Sequence, residues 1–332
     1  MNFKPDISVI LPYYNAEKTL ERSIQSVLKQ SHSNFELIAV NNNSTDKSEL
    51  LVKKLAATDH RIKRFSEPKQ GVAHASRTGL KNAQGKYIAR TDADDICKAD
   101  RLEKQLDFLE NNPKYGVVGS RVEYAGPSEN EGMISFINRT NKNITHEELS
   151  LNRFSELQLI NPTLMFRKEI ADRLGYYEQG DFPEDFELFL RWMENDIKFY
   201  KLPQPLLIWQ DSETRLTRTD SRYSFDAFYK TKTPYIVNYL KKVNPHFPEV
   251  VIWGAGRRSR RRANLLKAFG IKIKFYIDIV KTKDYAVYYE KIKAPGDYFI
   301  LSYVGKRGAD EIITDYLEAR NFIKGKDFLI VA

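Results

Sequence analysis

Short hydrophobic runs rich in β-branched residues alternate with longer amphipathic segments in the N-terminal part of the sequence, and this alternation limits the possible folds most. Ile7–Leu11, Phe35–Val40 and Tyr87–Arg90 are typical of strands buried on both faces, and Arg61–Phe65 is a shorter run of the same kind. The segments between them carry hydrophobic residues at helical spacing. The sequence therefore predicts βαβ units and an α/β fold with a mostly parallel sheet flanked by helices.

Polar residues follow three of these strands, at the point where each strand ends. After the first strand, we expect Pro12 to end the strand and Asn15 to cap the next helix. Asn41–Asp46 follow the second strand, and Asp92–Asp95 follow the Tyr87 strand. Ligands of parallel α/β sheets bind at the carboxyl ends of the strands. The sequence therefore predicts one polar cleft along this edge of the sheet.

The sequence Asp92-Ala93-Asp94-Asp95 places three carboxylates within four residues. Carboxylates this close repel one another unless a cation lies among them, and a hard divalent ion such as Mg²⁺ or Mn²⁺ prefers oxygen ligands. Such an ion can also bind a substrate diphosphate. The ordinary alternative is a turn followed by a helix cap, because Asp is common in both.

Two further elements are predicted around the acidic run. Gly71–Ala83 predicts a helix closed by Gly85, and Tyr115–Val122 predicts another strand. Residues 123–155 have no clear period, so we interpret them as a loop or lid with a short helix near Glu147.

A second acidic position lies later in the chain. Pro183 is typical of a helix start, which places Glu184 and Asp185 in the first helical turn. Ordinary capping by acidic residues is the alternative interpretation, and the pattern alone favours it.

The length of 332 residues suggests two domains. The prolines and polar residues of 241–248 are typical of a linker, so we predict domains over 1–240 and 249–332. The single cysteine, Cys97, excludes an internal disulfide, and the N-terminus carries no hydrophobic signal core. No run reaches the ~20 apolar residues of a membrane span. These features predict a cytoplasmic protein.

The second domain begins with a strand that runs into Gly254-Ala255-Gly256, which resembles a dinucleotide-binding turn. The third glycine of that pattern is replaced by Ser259, although Asp278 lies near the spacing of a ribose-binding acid. We expect one or two βα units here, which is too few for a dinucleotide domain, and we expect no NAD. A small α/β accessory domain is the favoured interpretation.

The formal net charge of +9 indicates an anionic partner, and the alternative is general solubility of a lysine-rich chain. Five of the residues from Arg257 to Arg262 are arginines, which indicates an anion-binding or membrane-surface site or merely a solvated helix face. We find no helix-turn-helix, zinc-knuckle or RNP-type motif, so nucleic acid is not an expected partner.

Residues 7–220 resemble the inverting family 2 glycosyltransferases, which have the GT-A fold. The matching motifs occur in order along the chain: Ile7–Asn15, Asn42–Asp46, Tyr87–Asp95 and Glu184-Asp185. The stretch from Tyr87 to Gln105 is similar to bacterial cell-surface polysaccharide transferases in particular. The C-terminal domain is similar to a small Rossmann-like tail found on some of these enzymes.

The resemblance implies a role for each matching position. The nucleotide sugar would be bound by Pro12, Tyr13, Asn15, Asn42, Asp46, Arg77, Asp92 and Ala93. Asp94 and Asp92 would bind Mn²⁺ or Mg²⁺, with Asp95 supporting them. Asp185 would be the general base, and Glu184 would help to place the acceptor. Asn42 stands where the family usually has an Asp that accepts a hydrogen bond from uracil, and Arg77 stands where relatives often carry Asn.

The resemblance also implies a reaction. A sugar would move from a nucleoside-diphosphate sugar, expected to be a UDP-sugar, to a hydroxyl of a glycan or lipid-linked oligosaccharide in cell-surface polysaccharide synthesis. Leu188 replaces the Gln of the processive Gln-x-x-Arg-Trp motif before Arg191-Trp192, so we expect single additions. Peripheral contact with the anionic inner face of the membrane is expected. The alternative is a non-catalytic protein that binds nucleotide sugars with a transferase-like fold.

Overall fold

The computed structural model describes residues 4–212, 215–281 and 285–332. These residues form two units: the first comprises the chain up to Leu149 with Gln158–Gly180 and Glu184–Thr219, and the second comprises Ser150–Leu157, Asp181–Pro183 and Asp220–Ala332. The division after Thr219 falls earlier than the predicted domain limits at 240 and 249.

An eight-stranded mixed sheet forms the centre of the first unit. Its strands are β1 (Ile7–Tyr13), β2 (Phe35–Asn41), β3 (Ile62–Ser66), β4 (Tyr87–Arg90), β5 (Ile96–Cys97), β6 (Val117–Ala125), β7 (Met165–Arg167) and β8 (Phe199–Gln210). The strand order is β3-β2-β1-β4-β7-β6-β8-β5. β1 to β4 pair in parallel, whereas β7 runs antiparallel to both β4 and β6. The predicted mostly parallel α/β sheet is confirmed.

Helices connect these strands. They are α1 (Leu20–Leu28), α2 (Ser48–Thr58), α3 (Val72–Lys81), α4 (Arg101–Asn111), α5 (Glu131–Lys142), α6 (His146–Leu151), α7 (Lys168–Leu174), α8 (Glu184–Glu194) and α9 (Leu216–Thr219), with a 3₁₀ turn at Asn161–Thr163. Hydrophobic residues of the parallel strands and of α1, α2 and α4 form one buried cluster. The strands β1, β2 and β4, which carry the polar loops at their carboxyl ends, are therefore held by this hydrophobic core.

Two predictions about the loop after β1 are wrong. Pro12 continues β1 and pairs with Val40 of β2. Pairing with β4 covers only Ile7–Ile10, so no hydrogen bond to β4 is lost through the missing N–H of the proline. Asn15 does not cap α1, which begins at Leu20; it takes a left-handed conformation with φ 46°.

Two further predictions differ from the structure. Gly85 is not the C-cap of α3, which ends at Lys81; a Cβ at Gly85 would lie 2.5 Å from the backbone nitrogen of Ser8, so glycine permits a close backbone approach. Residues 123–155 are more ordered than predicted and contain the end of β6, the long helix α5 and the expected short helix near Glu147.

The second unit contains a parallel five-stranded sheet. Its strands are β9 (Glu249–Trp253), β10 (Lys272–Asp278), β11 (Ala286–Tyr288), β12 (Ile300–Ser302) and β13 (Phe328–Ile330), in the order β11-β10-β9-β12-β13. Its helices are α10 (Phe225–Val243), α11 (Arg257–Ala263) and α12 (Ala309–Glu318), with 3₁₀ turns at Ser221–Tyr223, Asn264–Phe269 and Tyr289–Lys291. α10 covers the first three residues of the predicted linker. The Rossmann-like fold is confirmed. Two strands of this sheet, β9 and β12, are followed directly by an α-helix, and the sheet has five strands in all.

Within the described parts of the chain, no helix has the length and apolar character needed to cross a membrane.

Candidate active site

Three carboxylates meet at the carboxyl end of β4. Asp92, Asp94 and Asp95 each place one carboxylate oxygen within 4.8 Å of the others. Asp95 is fully buried; its Oδ1 accepts a hydrogen bond from the backbone N–H of Gln210 at 2.9 Å, and its Oδ2 has no partner among the described residues. A buried oxygen in this state is costly unless a ligand completes it. The predicted acidic cluster is therefore present as a group of side chains as well as a sequence motif.

Burial and mutual repulsion govern the charges of this cluster. Burial and the charge of Asp92 raise the pKa of Asp94. Burial and the charges of Asp94 and Asp92 raise the pKa of Asp95 well above its ordinary value. The cluster consequently holds more negative charge than its surroundings neutralise, and a divalent cation with oxygen ligands fits this donor set.

Two buried arginines hold the end of β4 in place. Arg101 of α4 donates from Nη2 to the carbonyl of Arg90 at 2.7 Å and from Nε to Gln105 at 3.0 Å. Arg90 pairs with Asp92, with Nη2 at 2.7 Å from Oδ1. Burial has the largest single effect and would lower the pKa of Arg90, but Asp92, Tyr177 and Tyr176 together outweigh it and the pKa is raised. The position of the acidic cluster thus depends on charges inside the core.

Asp185 lies at the start of α8, as predicted, and next to the buried Glu184. Its Oδ1 accepts a hydrogen bond from the backbone N–H of Phe186 at 2.7 Å. Burial and the charges of Glu184 and Asp92 raise the pKa of Asp185 to about 7. Because Asp185 responds to the charge of Asp92, the structure brings these two distant parts of the sequence together.

Tyr176 and Tyr177 belong to the same region, although the sequence analysis did not identify them. Their rings lie 4.2 Å apart, and the Tyr177 hydroxyl donates to Asn161. The pKa of Tyr177 is raised well above its ordinary value. Burial is the main cause, and the charges of Asp185 and Glu184 add to it. A tyrosine pair outside any periodic element gives no sequence signal that separates it from ordinary packing.

Arg215 also lies near the acidic cluster, and its position in a basic stretch of the sequence is consistent with a residue that faces a phosphate. Its guanidinium carbon lies 3.6 Å from the centre of the Trp209 ring, and its Nη1 is buried without a hydrogen-bond partner among the described residues. The charge of Arg215 lowers the pKa values of Asp94 and Asp95 against the larger raising effects. A cation with a spare donor therefore faces the acidic cluster.

The loops after β1 and β2 are joined by three of the predicted ligand-binding residues. Asn15 Oδ1 accepts from the backbone N–H of Thr45 at 2.8 Å. Asp46 accepts from the N–H groups of Glu17 and Ser48, each at 3.0 Å, and these bonds lower its pKa against the effect of burial. The buried Tyr13 donates its hydroxyl to Glu49 at 2.5 Å. In this structure these side chains fix the shape of the loops.

Asn42 is buried and connects β2 to the loop before α3. Its Nδ2 donates to the carbonyls of Glu67 at 3.0 Å and Lys69 at 2.8 Å, and its Oδ1 accepts from the N–H of Gly71 at 2.7 Å. Both amide hydrogens are thus used, and one lone pair of Oδ1 is left to accept a bond from a ligand.

The other predicted binding residues differ in exposure. Arg77 is exposed on α3, Pro12 is buried within β1, and Ala93 packs partly buried against the hydrophobic cluster of the first unit. The predicted metal residues Asp92 and Asp94 lie together, and the expected supporting residue Asp95 is the most deeply buried of the three.

A mostly parallel α/β sheet with an acidic cluster at the carboxyl end of a central strand is the arrangement expected of the GT-A class of glycosyltransferases. The structure of Staphylococcus aureus TarS 1–349 in complex with UDP-GlcNAc has this fold, with a TM-score of 0.56 over 80% of this chain and 71% of that chain at 19% identity. A mannosyltransferase from Pyrobaculum calidifontis, solved with GDP-Man and Mn²⁺, gives a TM-score of 0.52 over 73% of this chain and 65% of that one, also at 19% identity.

The family follows from the sequence matches. Residues 8–175 match the model described as glycosyl transferase family 2. An uncharacterized glycosyltransferase of Methanocaldococcus jannaschii is 31% identical over 251 residues, which cover 72% of this chain and 85% of the relative. The chain therefore belongs to glycosyl transferase family 2.

Relatives with more specific names match over shorter or comparable lengths. The putative glycosyltransferase EpsE of Bacillus subtilis is 32% identical over 68% of this chain and 80% of its own length. The Escherichia coli enzyme WfgD, named as a UDP-Glc:alpha-D-GlcNAc-diphosphoundecaprenol beta-1,3-glucosyltransferase, is 43% identical over 32% of this chain and 42% of its own length. The last match covers less than half of WfgD.

Proposed function

We propose that this protein is a metal-dependent inverting glycosyltransferase that moves one sugar from a nucleoside-diphosphate sugar to a hydroxyl of a glycan or glycolipid. The observation that carries the proposal is the presence of the acidic cluster at the end of β4 together with a second, buried carboxylate, Asp185 at the start of α8, whose pKa is raised by the charges of Glu184 and Asp92. One group of oxygens suits a cation and a diphosphate, and the other suits proton removal from an acceptor.

Asp92, Asp94 and Asp95 would hold a Mn²⁺ or Mg²⁺ ion, which supplies positive charge to the diphosphate as it leaves. Arg215 adds a second positive charge on the same side, because its unpartnered Nη1 can donate to a phosphate oxygen. Arg90 holds the Asp92 carboxylate in place by its ion pair.

Asp185 takes the proton of the acceptor hydroxyl. The hydroxyl oxygen then forms a bond to the anomeric carbon while the bond from that carbon to the diphosphate oxygen breaks. The electron pair leaves with the nucleoside diphosphate. A single displacement from the opposite face inverts the anomeric configuration, and one base is enough for it.

The donor is proposed to be a UDP-sugar. Asn42 occupies the base-recognition position of the family, and its Oδ1 retains a lone pair for the N3–H of uracil. TarS was solved with UDP-GlcNAc, and the name of WfgD states a UDP-Glc donor. The same name states a diphosphoundecaprenol-linked acceptor, which supports a lipid-linked oligosaccharide acceptor for this chain.

Contact with an anionic membrane surface belongs to this proposal. The net charge of +9 favours approach to such a surface, and a lipid-linked acceptor would require it.

The Asp185→Asn variant tests the proposal. We expect transfer to fall by about 10²–10⁴-fold, because the amide cannot accept the hydroxyl proton. Mn²⁺-dependent UDP binding should stay, since Asp185 is not among the carboxylates that would hold the ion. Release of UDP from UDP-sugars measures turnover, calorimetry measures binding, and Asp107→Asn on the exposed face of α4 is the matched charge control.

Unchanged turnover in Asp185→Asn would overturn the base assignment. Wild-type protein that binds UDP-sugars with Mn²⁺ and neither transfers nor hydrolyses any of them would instead support the non-catalytic alternative.

A further inference from the structure

The second sheet has the strand order of a nucleotide-binding fold. Numbered from β9, its five parallel strands lie in the order 3-2-1-4-5, so the direction of winding reverses between β9 and β12. In open parallel sheets, ligands bind in the crevice outside the carboxyl ends of the two strands at this reversal. The loops at that place are Gly254–Gly256 and Tyr303–Gly308.

The turn after β9 is rigid and leaves open space. Gly254 has φ +114°, and a Cβ there would lie 2.8 Å from Oγ of Ser259, so only glycine fits. Asp278 at the end of β10 fixes the turn, because its Oδ2 accepts from the N–H of Ala255 at 3.1 Å. A Cβ at Gly256 would meet no atom within 4 Å. The side-chain position of Gly256 therefore opens toward solvent.

Positive side chains surround this opening. Arg257, Arg258 and Lys306 are exposed in the two loops. Arg260 is half-buried, and its Nε is buried without a hydrogen-bond partner among the described residues. The acid that belongs to the crevice, Asp278, uses both oxygens for backbone N–H groups. The opening therefore attracts an anion.

Three exposed apolar side chains lie beside the same turn, after the end of β10. Ile279, Val280 and Tyr285 are 70%, 44% and 50% exposed. The Tyr285 hydroxyl reaches the carbonyl of Ala255 at 3.5 Å, and the guanidinium carbon of Arg260 lies 4.8 Å from the Tyr285 ring centre. Exposed side chains of this kind next to a cationic turn suit a flat aromatic base joined to a phosphate.

We propose that the second unit binds a nucleotide at this crevice, with its phosphate over Gly256 between Arg257, Arg258 and Lys306 and its base against Ile279, Val280 and Tyr285. The site lies in a different sheet from the acidic cluster and does not depend on the proposed glycosyl transfer. Both oxygens of Asp278 accept hydrogen bonds from backbone N–H groups, so this carboxylate is engaged in holding the turn and not in binding a ribose. The proposed recognition is therefore of the phosphate.

Calorimetry of the full chain in EDTA tests this proposal with UDP, ADP, NAD and inorganic phosphate as probes. Chelation removes binding that needs a divalent ion, so binding that persists and that the crevice variants weaken reports on the second unit. We expect at least one nucleotide to bind. Gly256→Phe should abolish this binding, because φ −68° accepts a side chain and the ring would fill the opening. Arg257→Glu should weaken it about tenfold or more.

Lys267→Glu is the matched control, since this exposed lysine lies in the 3₁₀ turn that leads to the amino end of β10. It should bind as the wild type does, and circular dichroism checks that each variant is folded. If Gly256→Phe does not fold, the Arg257→Glu/Arg258→Glu variant replaces it.

Three results would overturn the proposal. One is the absence of nucleotide binding tighter than about 1 mM in EDTA. Another is binding that none of the crevice variants changes. The third is Arg257- and Arg258-dependent binding to phosphatidylglycerol vesicles without binding of any nucleotide, which would make the surface a membrane contact.

Discussion

Arg90 shows how a single buried charge can organise the site of this glycosyltransferase. Its side chain is buried, and it pairs with Asp92 at 2.7 Å. Removing Asp92, whose side chain is 28% exposed, would leave the buried charge of Arg90 without this ion pair. The charge of Asp92 in turn raises the pKa values of Asp94, Asp95 and Asp185. One ion pair therefore influences both the proposed cation site and the proposed base.

The pH dependence of transfer follows from Asp185. Its pKa of about 7 means that the carboxyl is protonated, and unable to act as a base, in acid. We expect the transfer rate at saturating donor to rise with pH and to level off above an apparent pKa at or below about 7, since a cation at the acidic cluster offsets the charge of Asp92. Initial rates between about pH 5 and 8 measure this.

The exposed-face variant Asp107→Asn should give the wild-type pH profile. A rate that is flat over this range, or that falls as pH rises, would show that Asp185 is not the titrating base.

At the level of secondary structure, α3 packs unusually close to the central strand β1. A Cβ at Gly79, in the middle of α3, would lie 2.5 Å from Cγ2 of Ile10. α3 begins directly after Gly71, whose backbone N–H donates to Asn42. The position of this helix is therefore linked to that of Asn42. The glycine inside this helix is therefore a packing requirement, although the same residue lowers helix propensity.

Gly79→Ala should consequently destabilise the protein. The methyl group forces α3 away from β1 at a cost of about 1–3 kcal/mol, which exceeds the gain of about 1 kcal/mol in helix propensity. We expect a lower free energy of unfolding in urea and weaker UDP binding.

Gly132→Ala in α5 is the matched control, because its Cβ would meet only Oδ1 of Asn130 at 3.9 Å. It should stabilise the protein by about 0.5–1 kcal/mol. Equal effects of the two substitutions would contradict the packing argument.

On the scale of the whole molecule, the second unit is built from segments far apart in sequence. Lys232 of α10 is buried and donates from Nζ to the carbonyls of Phe154 at 2.8 Å and Val331 at 2.6 Å. Its Nζ also lies 3.9 Å from the Tyr229 ring centre. Burial and the charge of Arg262 lower the pKa of Lys232 to about 7, against the opposing charge of Glu156.

Lys232 should make stability depend on pH. Above about pH 7 the folded protein releases this proton while the unfolded chain keeps it up to its ordinary pKa of 10.5. The unfolded state then binds more protons, so the free energy of unfolding rises with pH, by at most about 1.4 kcal/mol per pH unit. We expect Lys232→Met to reduce this slope in urea unfolding measured at several pH values.

Lys230→Met replaces an exposed lysine of the same helix and should keep the wild-type slope. An unchanged slope in Lys232→Met would mean that this lysine stays charged in the folded protein.

Local patterns in the sequence determined much of this molecule. The strands β1 to β4, the helix at Asp185 and the Asp92–Asp95 run follow from hydrophobic periodicity, helix-start residues and charge crowding, all of which act over a few residues. For the same reason, the sequence identified the acidic cluster before any packing was known, whereas Asp185 became the base candidate only through the resemblance to the family.

Only the tertiary structure decided which side chains share the site. Tyr177 has no local signal, and the basic stretch around Arg215 does not say which carboxylates it would approach; both residues reach the acidic region because β4, α8 and β8 belong to one unit. Asn15 and Gly85 were predicted as helix caps and instead serve contacts with Thr45 and Ser8, which are distant in sequence. The residue pattern encodes the preference of a short segment for helix, strand or turn. The burial of a side chain, the order of the strands and the interaction between charges distant in sequence exist only once the chain has folded.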